Sequence, residues 1–581
     1  MLNLHRQYLR EEFDKQGNIT NFEFQVPDSF NFAYDVVDLL GREEPGRRAM
    51  FWCNEAGEKT EFTFADFSQK SDQCAAWFQS LGIRKGDRVM LILKRHYQFW
   101  FTILALHKIG AVAIPATNQL LTKDLLYRLR AADISTVVCT PDGDVSNYVE
   151  QAIGEYGQPV RKIMVRQAKP GWLLMEDGMA QSGPFVRPDG ADAPANSDMM
   201  LLYFTSGTTG MPKMVCHDFT YPIGHLPTAK YWHKVDPDGL HLTVAETGWA
   251  KSVWGKLYGQ WMMEAGIYVF DYDRFSASVL LRKIQDDHIT TFCAPPTIYR
   301  FLIKEDLTRY DLSGLQHCTI AGEALNPEVY ERFLRATGLQ LKEGYGQTEM
   351  TLAVVTNYWM ATKPGSMGRP SPAYKVVLLD ENGKPVPPGQ SGEICIRVGE
   401  QKIPGMFTGY HKDPALTGQV WHDGYYHTGD LAWQDEEGYF WFVGRFDDII
   451  KSSGYRIGPF EVESVLMEHP AVLECAITGE PDPVRGQLVK ATVVLARGYE
   501  PTEELKAELQ NYVKTHTAPY KYPRILVFVP ELPKTISGKI RRVEIRQSGR
   551  QNGSGDSGGN GNGKSGCIDN SDADGRPMAG Q

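Results

Sequence analysis

The 581-residue chain has no apolar run long enough to cross a membrane. Its longest stretches, residues 100–106 and 109–116, are split by His107-Lys108 and fall well short of the ~20 residues a spanning helix needs. It has no paired cysteine spacing either. Nine cysteines (Cys53, Cys74, Cys139, Cys216, Cys293, Cys318, Cys395, Cys475 and Cys567) stand far apart, which excludes a disulfide framework and a zinc-finger pattern and points to reduced thiols. It lacks an excess of basic charge: 61 Lys and Arg against 71 Asp and Glu leave a formal −10, which argues against a whole-surface binder of nucleic acid or anionic membrane. The first residues have no apolar segment of secretory type, and Glu11-Glu12 are acids that transit peptides avoid. These absences predict a soluble, cytoplasmic protein with no membrane span and no nucleic-acid partner. What is present is ordinary globular composition, 42% hydrophobic and 11% aromatic, so a large core is available and general disorder is excluded.

From about residue 60 the pattern alternates. Residues 64–81 carry apolar positions at helical spacing and stop at Gly82, and residues 88–93 are a short continuous apolar run of the kind that forms a doubly buried strand. A helix over 97–108 and strands over 111–115, 136–139 and 162–165 continue the alternation, which predicts a doubly wound sheet with helices on both faces. After residue 390 the texture turns to half-exposed strands, 391–398 and 438–443, separated by Gly- and Asp-rich turns, and predicts a small β-rich subdomain. A compact α+β unit follows, with a proline-initiated helix over 459–467, strands near Ala476 and over 491–495, and a helix over 503–515. The expected division is 1–446, 447–546 and a glycine-rich disordered tail, 547–581. Gly558 to Ser565 matches a phosphate-loop expression and Gly555 to Gly559 a nucleophile elbow, but neither has a strand before it or a helix after it, so both are rejected.

Five loops carry chemistry. In Thr205-Ser206-Gly207-Thr208-Thr209-Gly210-Met-Pro-Lys213 an apolar strand feeds a run of hydroxyls and glycines closed by a lysine, which suits a polyphosphate; a solvated Ser/Thr turn has the same composition. Glu343-Gly344-Tyr345-Gly346-Gln347-Thr348-Glu349 sets an aromatic between two glycines and ends on a carboxylate suited to Mg²⁺; a capped helix start looks similar. Thr428-Gly429-Asp430 presents one acid, either to a ribose or merely to a β-turn. The fourth loop runs from Gly444-Arg445 through Asp447 to Ser453-Gly454-Tyr455-Arg456, and the fifth is Lys534-Thr535-Ile-Ser537-Gly538-Lys539.

Taken together and in this order, the five loops resemble the adenylate-forming superfamily of acyl-CoA synthetases, adenylation domains and luciferases. The resemblance spans residues 50 to 545. Thr247-Gly248-Trp249, the Arg485 loop and Tyr520-Lys521-Tyr522 are most similar to its medium-chain acyl-CoA synthetase branch, with Glu246 standing where that branch has aspartate. The resemblance implies a large domain of doubly wound mixed sheets, a small β-rich subdomain and a mobile C-terminal domain. It implies an acid–thiol ligase that joins a medium-chain or compact aromatic acid to coenzyme A through an acyl-adenylate, releasing AMP and pyrophosphate. Transfer to a carrier-protein thiol is the alternative. It also implies roles: residues 205–213 on the β- and γ-phosphates, 343–348 around adenine and α-phosphate, Mg²⁺ on Glu349, ribose on Asp430 and Arg445. Lys539 would bridge the carboxylate and α-phosphate, with Thr348 and Glu349 as its catalytic companions. Rotation about Asp447 would exchange Lys539 for Ser453-Gly454-Tyr455, with Arg456, Arg485, Tyr520, Lys521, Tyr522 and Gln119 meeting coenzyme A. Trp249, Thr247, Val253 and the Ala321-Gly322-Glu323 turn are the implied acyl-pocket wall.

Overall fold

The computed structural model describes residues 1–15, 17–205, 211–323, 325–399, 402–535 and 539–552. Two large mixed sheets share one buried layer of helices. The first has eight strands in the spatial order Gly409–Tyr410, Lys213–Asp218, Met199–Thr205, Val112–Pro115, Arg88–Ile92, Thr136–Cys139, Arg161–Met164, Leu173–Leu174. The second has nine: Arg369–Pro370, Leu352–Val355, Leu341–Gly346, His317–Ala321, Thr291–Ala294, Leu240–Thr243, Gly266–Asp271, Arg48–Asn54, Lys59–Thr63. The central strands are parallel, and antiparallel strands close both edges of the second sheet and one edge of the first, whose other edge, Leu173–Leu174, is parallel.

The layer between the sheets explains the continuous apolar runs. Helix Gln98–Ile109 is buried over its whole length because sheets lie on both its sides, and it ends where Gly110 takes a left-handed φ of 72°. Helix Phe64–Ser80 begins with a capping box between Thr63 and Asp66 and buries Phe64, Phe67, Cys74 and Phe78 in the same core. Trp52, Trp100 and Trp261 fill this layer, and each indole N–H donates to a distant backbone carbonyl, of Arg95, Lys256 and Ala49 respectively. Separate apolar clusters cover the outer face of each sheet.

A third sheet, built from Val376–Leu379, Ser391–Arg397, Tyr425–Gln434, Trp421–His422 and Phe440–Arg445, is the β-rich subdomain. A fourth, with Ile450–Ser452, Tyr455–Ile457, Val472–Asp482, Gly486–Leu495 and Ile525–Phe528, packs on helices Pro459–Glu468 and Glu503–His516. Helix Arg542–Asn552 runs past the expected tail boundary at 546, and the rejected glycine-rich motifs lie outside the described residues. The N-terminal hairpin Leu9–Phe13/Ile19–Phe24 was not anticipated, and the alternating elements divide between two sheets, as the resemblance implied, where the residue pattern alone predicted one.

The third sheet meets the second at Gly368, which bridges to Phe440 in β fashion. Gly368 has φ 103°, and a Cβ there would overlap the Val355 carbonyl. Gly368→Ala therefore combines backbone strain with a backbone clash. It is expected to cost about 2–4 kcal/mol and lower the melting temperature by several degrees, read by calorimetry.

Candidate active site

Strand Leu341–Gly346 of the second sheet and strand Tyr425–Gln434 of the third meet at one buried carboxylate. Asp430 Oδ2 accepts from the Tyr345 hydroxyl and from Gln347 Nε2, both at 2.6 Å. The Gln347 amide also donates to the Thr428 carbonyl (3.0 Å), while its Oε1 accepts from Tyr426 (2.7 Å). Arg445, paired opposite Asp430 across the strands, brings its guanidinium to 3.5 Å from Oδ1. Burial raises the Asp430 carboxyl above its ordinary range, and Arg445, Tyr345, Gln347 and the Lys539 charge oppose that rise.

Lys539 thus lies close enough to act electrostatically on Asp430, and it also depresses Lys251, whose ammonium is lowered first by burial. Lys251 Nζ donates to the Ala321 carbonyl at 2.6 Å and stands beside Gly322, which has φ 110°. Sequence reasoning missed Lys251. The available signal was a cation in the first turn of helix Ala250–Lys256, where the helix dipole disfavours it. Lys539 itself is exposed, its backbone tied to Thr535 in a local turn.

Glu349 sits across the cleft, its Oε1 accepting from the Tyr410 hydroxyl at 2.9 Å. The Thr348 carbonyl accepts from His217 Nε2, which fixes the end of the 343–349 loop. Thr205 closes its strand directly opposite Lys213, whose ammonium lies 5.2 Å from the Tyr410 ring centre. Ser206, Gly207, Thr208, Thr209 and Gly210, between them, lie outside the described residues. Gly344 and Gly346 are required by packing: a Cβ would press on Leu352 and Trp232 at one and on the Thr351 carbonyl at the other.

Glu343 is buried among apolar neighbours with Oε2 unpartnered, and burial pushes its carboxyl up to about 8. Of the expected pocket wall, Trp249 is half-buried and precedes helix Ala250–Lys256, whereas Thr247 is fully buried with its hydroxyl committed to the Lys94 carbonyl. Val253 is core. Glu246, standing where the resembling branch has aspartate, is half-buried; its Oε1 accepts the Gly248 N–H at 3.1 Å and its Oε2 is unpartnered.

The residues expected to meet coenzyme A gather on one face of the fourth sheet, in part. Ser453 (φ 51°) and Gly454 (φ 83°) form the two-residue turn of hairpin Ile450–Ser452/Tyr455–Ile457. Arg485 donates to the Ser453 hydroxyl at 3.1 Å, and Tyr455 stacks on Tyr520 at 4.0 Å. Arg456 is engaged by Glu381 and Lys521 by Glu461, each at 2.5 Å. Tyr522 packs against the domain core under Arg524, and Gln119, exposed on the large domain, touches none of this group in a described hydrogen bond. Asp447 lies in the turn Phe446–Asp448, with Arg445 Nε 3.8 Å away.

Residues 40–411 match the family model described as AMP-binding enzyme, and residues 461–539 match its C-terminal domain. The chain is 40% identical over 538 residues to "Acyl-coenzyme A synthetase ACSM3, mitochondrial" of Mus musculus, covering 91% of this chain and 92% of that protein. It is 41% identical over 531 residues to the ACSM5 enzyme of the same organism, covering 90% and 91%. Among solved structures it is similar to the anthranilate CoA ligase AuaEII in complex with anthranoyl-AMP, with TM-score 0.81, 28% identity and coverage of 91% and 99%. It is also similar to a benzoate CoA ligase from Burkholderia xenovorans LB400, with TM-score 0.77, 27% identity and coverage of 89% and 100%. The expected cytoplasmic location is overturned, because both curated relatives are named as mitochondrial. Scattered free thiols report only a reducing environment, which does not separate those compartments.

Glu343 sets a pH dependence. Its carboxyl is raised in the fold above the unfolded value near 4.5, so the native state holds a proton that the unfolded chain has lost. Stability must therefore fall as pH rises from about 4.5 to about 8. Glu343→Gln is expected to remove this slope and to melt several degrees higher than the parent at pH 8.5 but not at pH 5, read by thermal denaturation across pH.

Proposed function

We infer the function from one premise: the chain belongs to the AMP-binding enzyme family. It is an AMP-forming acyl-CoA synthetase, a ligase that activates a carboxylic acid with ATP as an acyl-adenylate and transfers the acyl group to coenzyme A. The assignment of individual residues, of Mg²⁺ and of a medium-chain or compact aromatic acid is our own reading.

The observation that carries it is the charge cluster at Asp430: Arg445 lies 3.5 Å from that carboxylate and also feels Glu349, while the Lys539 charge acts on both Asp430 and Lys251. The Lys539 and Lys251 ammonium groups repel each other, so the arrangement favours an anion between them. The reaction brings a carboxylate against a polyphosphate, and neither half-reaction needs a protein nucleophile. Catalysis is then positioning and charge stabilisation. Lys539 would offset the repulsion between the carboxylate and the α-phosphate, and Lys251 would receive the acid's carboxylate at the Ala321-Gly322 turn. Asp430 would be oriented by Tyr345 and Gln347 to accept ribose hydroxyls, while Arg445 opposes the rise that burial gives its carboxyl. Thr205, Lys213 and residues 206–210 would hold the outer phosphates.

Glu349 is a hard oxygen donor oriented by the Tyr410 hydroxyl, which fits Mg²⁺. When bound, that ion supplies charge neutralisation on the phosphate oxygens. Trp249 and Gly322 would bound the acyl pocket, Thr247 only through its backbone. For the second half-reaction the unit 447–546 would rotate about Asp447 against the body of 1–446. Open space beside Gly454, where no atom lies within 4 Å of a would-be Cβ, suits a pantetheine arm, and the Tyr455–Tyr520 stack with Arg485 suits a nucleotide end. The carrier-protein alternative has no observation in its favour.

Lys539→Ala is expected to reduce acid-dependent pyrophosphate exchange by a factor of about 10²–10³ while AMP still binds, since one charge at the transition state is lost. Near-normal exchange would remove that role. Asp447→Pro, by fixing φ at the joint, is expected to leave exchange within about twofold but to abolish thioester formation, followed by mass.

A further inference from the structure

The third sheet carries a second cluster of chemically capable side chains, behind the strand that bears Asp430. Cys395 and His427 are directly opposed across the antiparallel pair, and a bulge between Glu393 and Cys395 turns Glu393 to the same point. His427 Nδ1 lies 2.9 Å from Glu393 Oε2 and 3.5 Å from Cys395 Sγ, and the three donor atoms all lie within 4.8 Å of one another. Cys395 is buried, while Glu393 and His427 are 22% and 16% exposed, so the cluster has one open side. The His427 ring plane is held by the His422 ring stacked at 3.9 Å, and its Nε2 is buried without a partner.

We propose that Glu393, Cys395 and His427 form a site for a thiophilic divalent cation of the zinc class, and that its occupation weakens nucleotide binding at Asp430. One sulfur, one imidazole nitrogen and one carboxylate oxygen are the donors such a cation prefers, with a fourth position left to water on the open side. Around a tetrahedral ion with bonds of about 2.0–2.3 Å, donors stand roughly 3.3–3.8 Å apart, so the pairs need to open only slightly. On binding, the Cys395 thiol gives its proton to solvent as the sulfur–metal bond forms, and the His427 ring proton moves to Nε2 while Nδ1 donates its lone pair. The buried thiol is held protonated by burial and by the Glu393 charge, and a divalent cation reverses that balance.

The coupling follows from the same hydrogen bonds. Glu393 Oε1 accepts the Gly429 N–H at 2.9 Å, and Gln347 ties the Thr428 carbonyl to Asp430. A carboxylate drawn onto an ion loosens Gly429 and shifts the segment that carries Asp430. This part rests on the reading of Asp430 as a nucleotide contact, and linkage makes it reciprocal.

The test uses the full chain with Cys567→Ser, so that the tail thiol contributes nothing. Cobalt(II) titration is expected to saturate at one equivalent with a sulfur-to-cobalt charge-transfer band. Cys395→Ser is expected to lose the band, and the partly exposed His427→Gln to weaken binding at least tenfold. AMP affinity, by calorimetry, is expected to fall roughly fivefold or more with saturating cobalt, and Cys395→Ser to erase that difference. No band in the parent, or a band that survives Cys395→Ser, overturns the site. A band with unchanged AMP affinity overturns the coupling. Failure of AMP to bind without cobalt overturns the Asp430 reading instead, and the cobalt titration still decides the site.

Discussion

A carboxylate taken out of water must be surrounded by donors, and Asp430 shows how much structure that requirement organises. Its partners come from two sheets: Tyr345 and Gln347 from the second, Arg445 from the third. Losing either neutral donor leaves a buried charge short of a hydrogen bond, which costs more than the bond itself contributes in water. The joint between the large body and the β-rich subdomain is thus also where the proposed nucleotide contact sits. The Gly368–Phe440 bridge holds the same two sheets in register from the far side.

What the sequence revealed follows from how local each signal is. Helices Phe64–Ser80 and Gln98–Ile109 and strand Thr136–Cys139 are written in short-range periodicity and stop signals, and they form where that pattern puts them. The five loops are also local, and four of them meet around Asp430 and Lys539; the first is described only at its ends, Thr205 and Lys213. Periodicity alone predicted one doubly wound sheet and only the family resemblance implied several, because strand Arg48–Asn54 pairs with Gly266–Asp271, more than two hundred residues away. Lys251 and the Glu393–Cys395–His427 cluster were missed for the same reason: each acquires meaning only from residues on another element. Gly344 and Gly346 also answer to a demand the sequence did not show, because each is small for its protein neighbours.

The C-terminal unit is attached by contacts of a different kind. Arg456–Glu381 is an exposed ion pair, Arg300 reaches the Met467 sulfur, and Asn326 donates to the Ser464 carbonyl. The exposed pair contributes about 0–1 kcal/mol, whereas the Asn326–Ser464 bond is buried and Gly458 packs closely on the Val443 carbonyl. The turn Phe446–Asp448 is firmer on its C-terminal side, where Arg546 and Arg542 bind Asp448 within the unit. In the proposed rotation the bonds at Asp448 would travel with the unit while the contacts across the boundary are exchanged, so that substrate contacts bias the choice between two docked states. Lys539, which is proposed to meet the anions, is carried on this unit. Its electrostatic attraction to a filled cleft, and the loss of that attraction once pyrophosphate has left, gives the proposed rotation a direction without any further device.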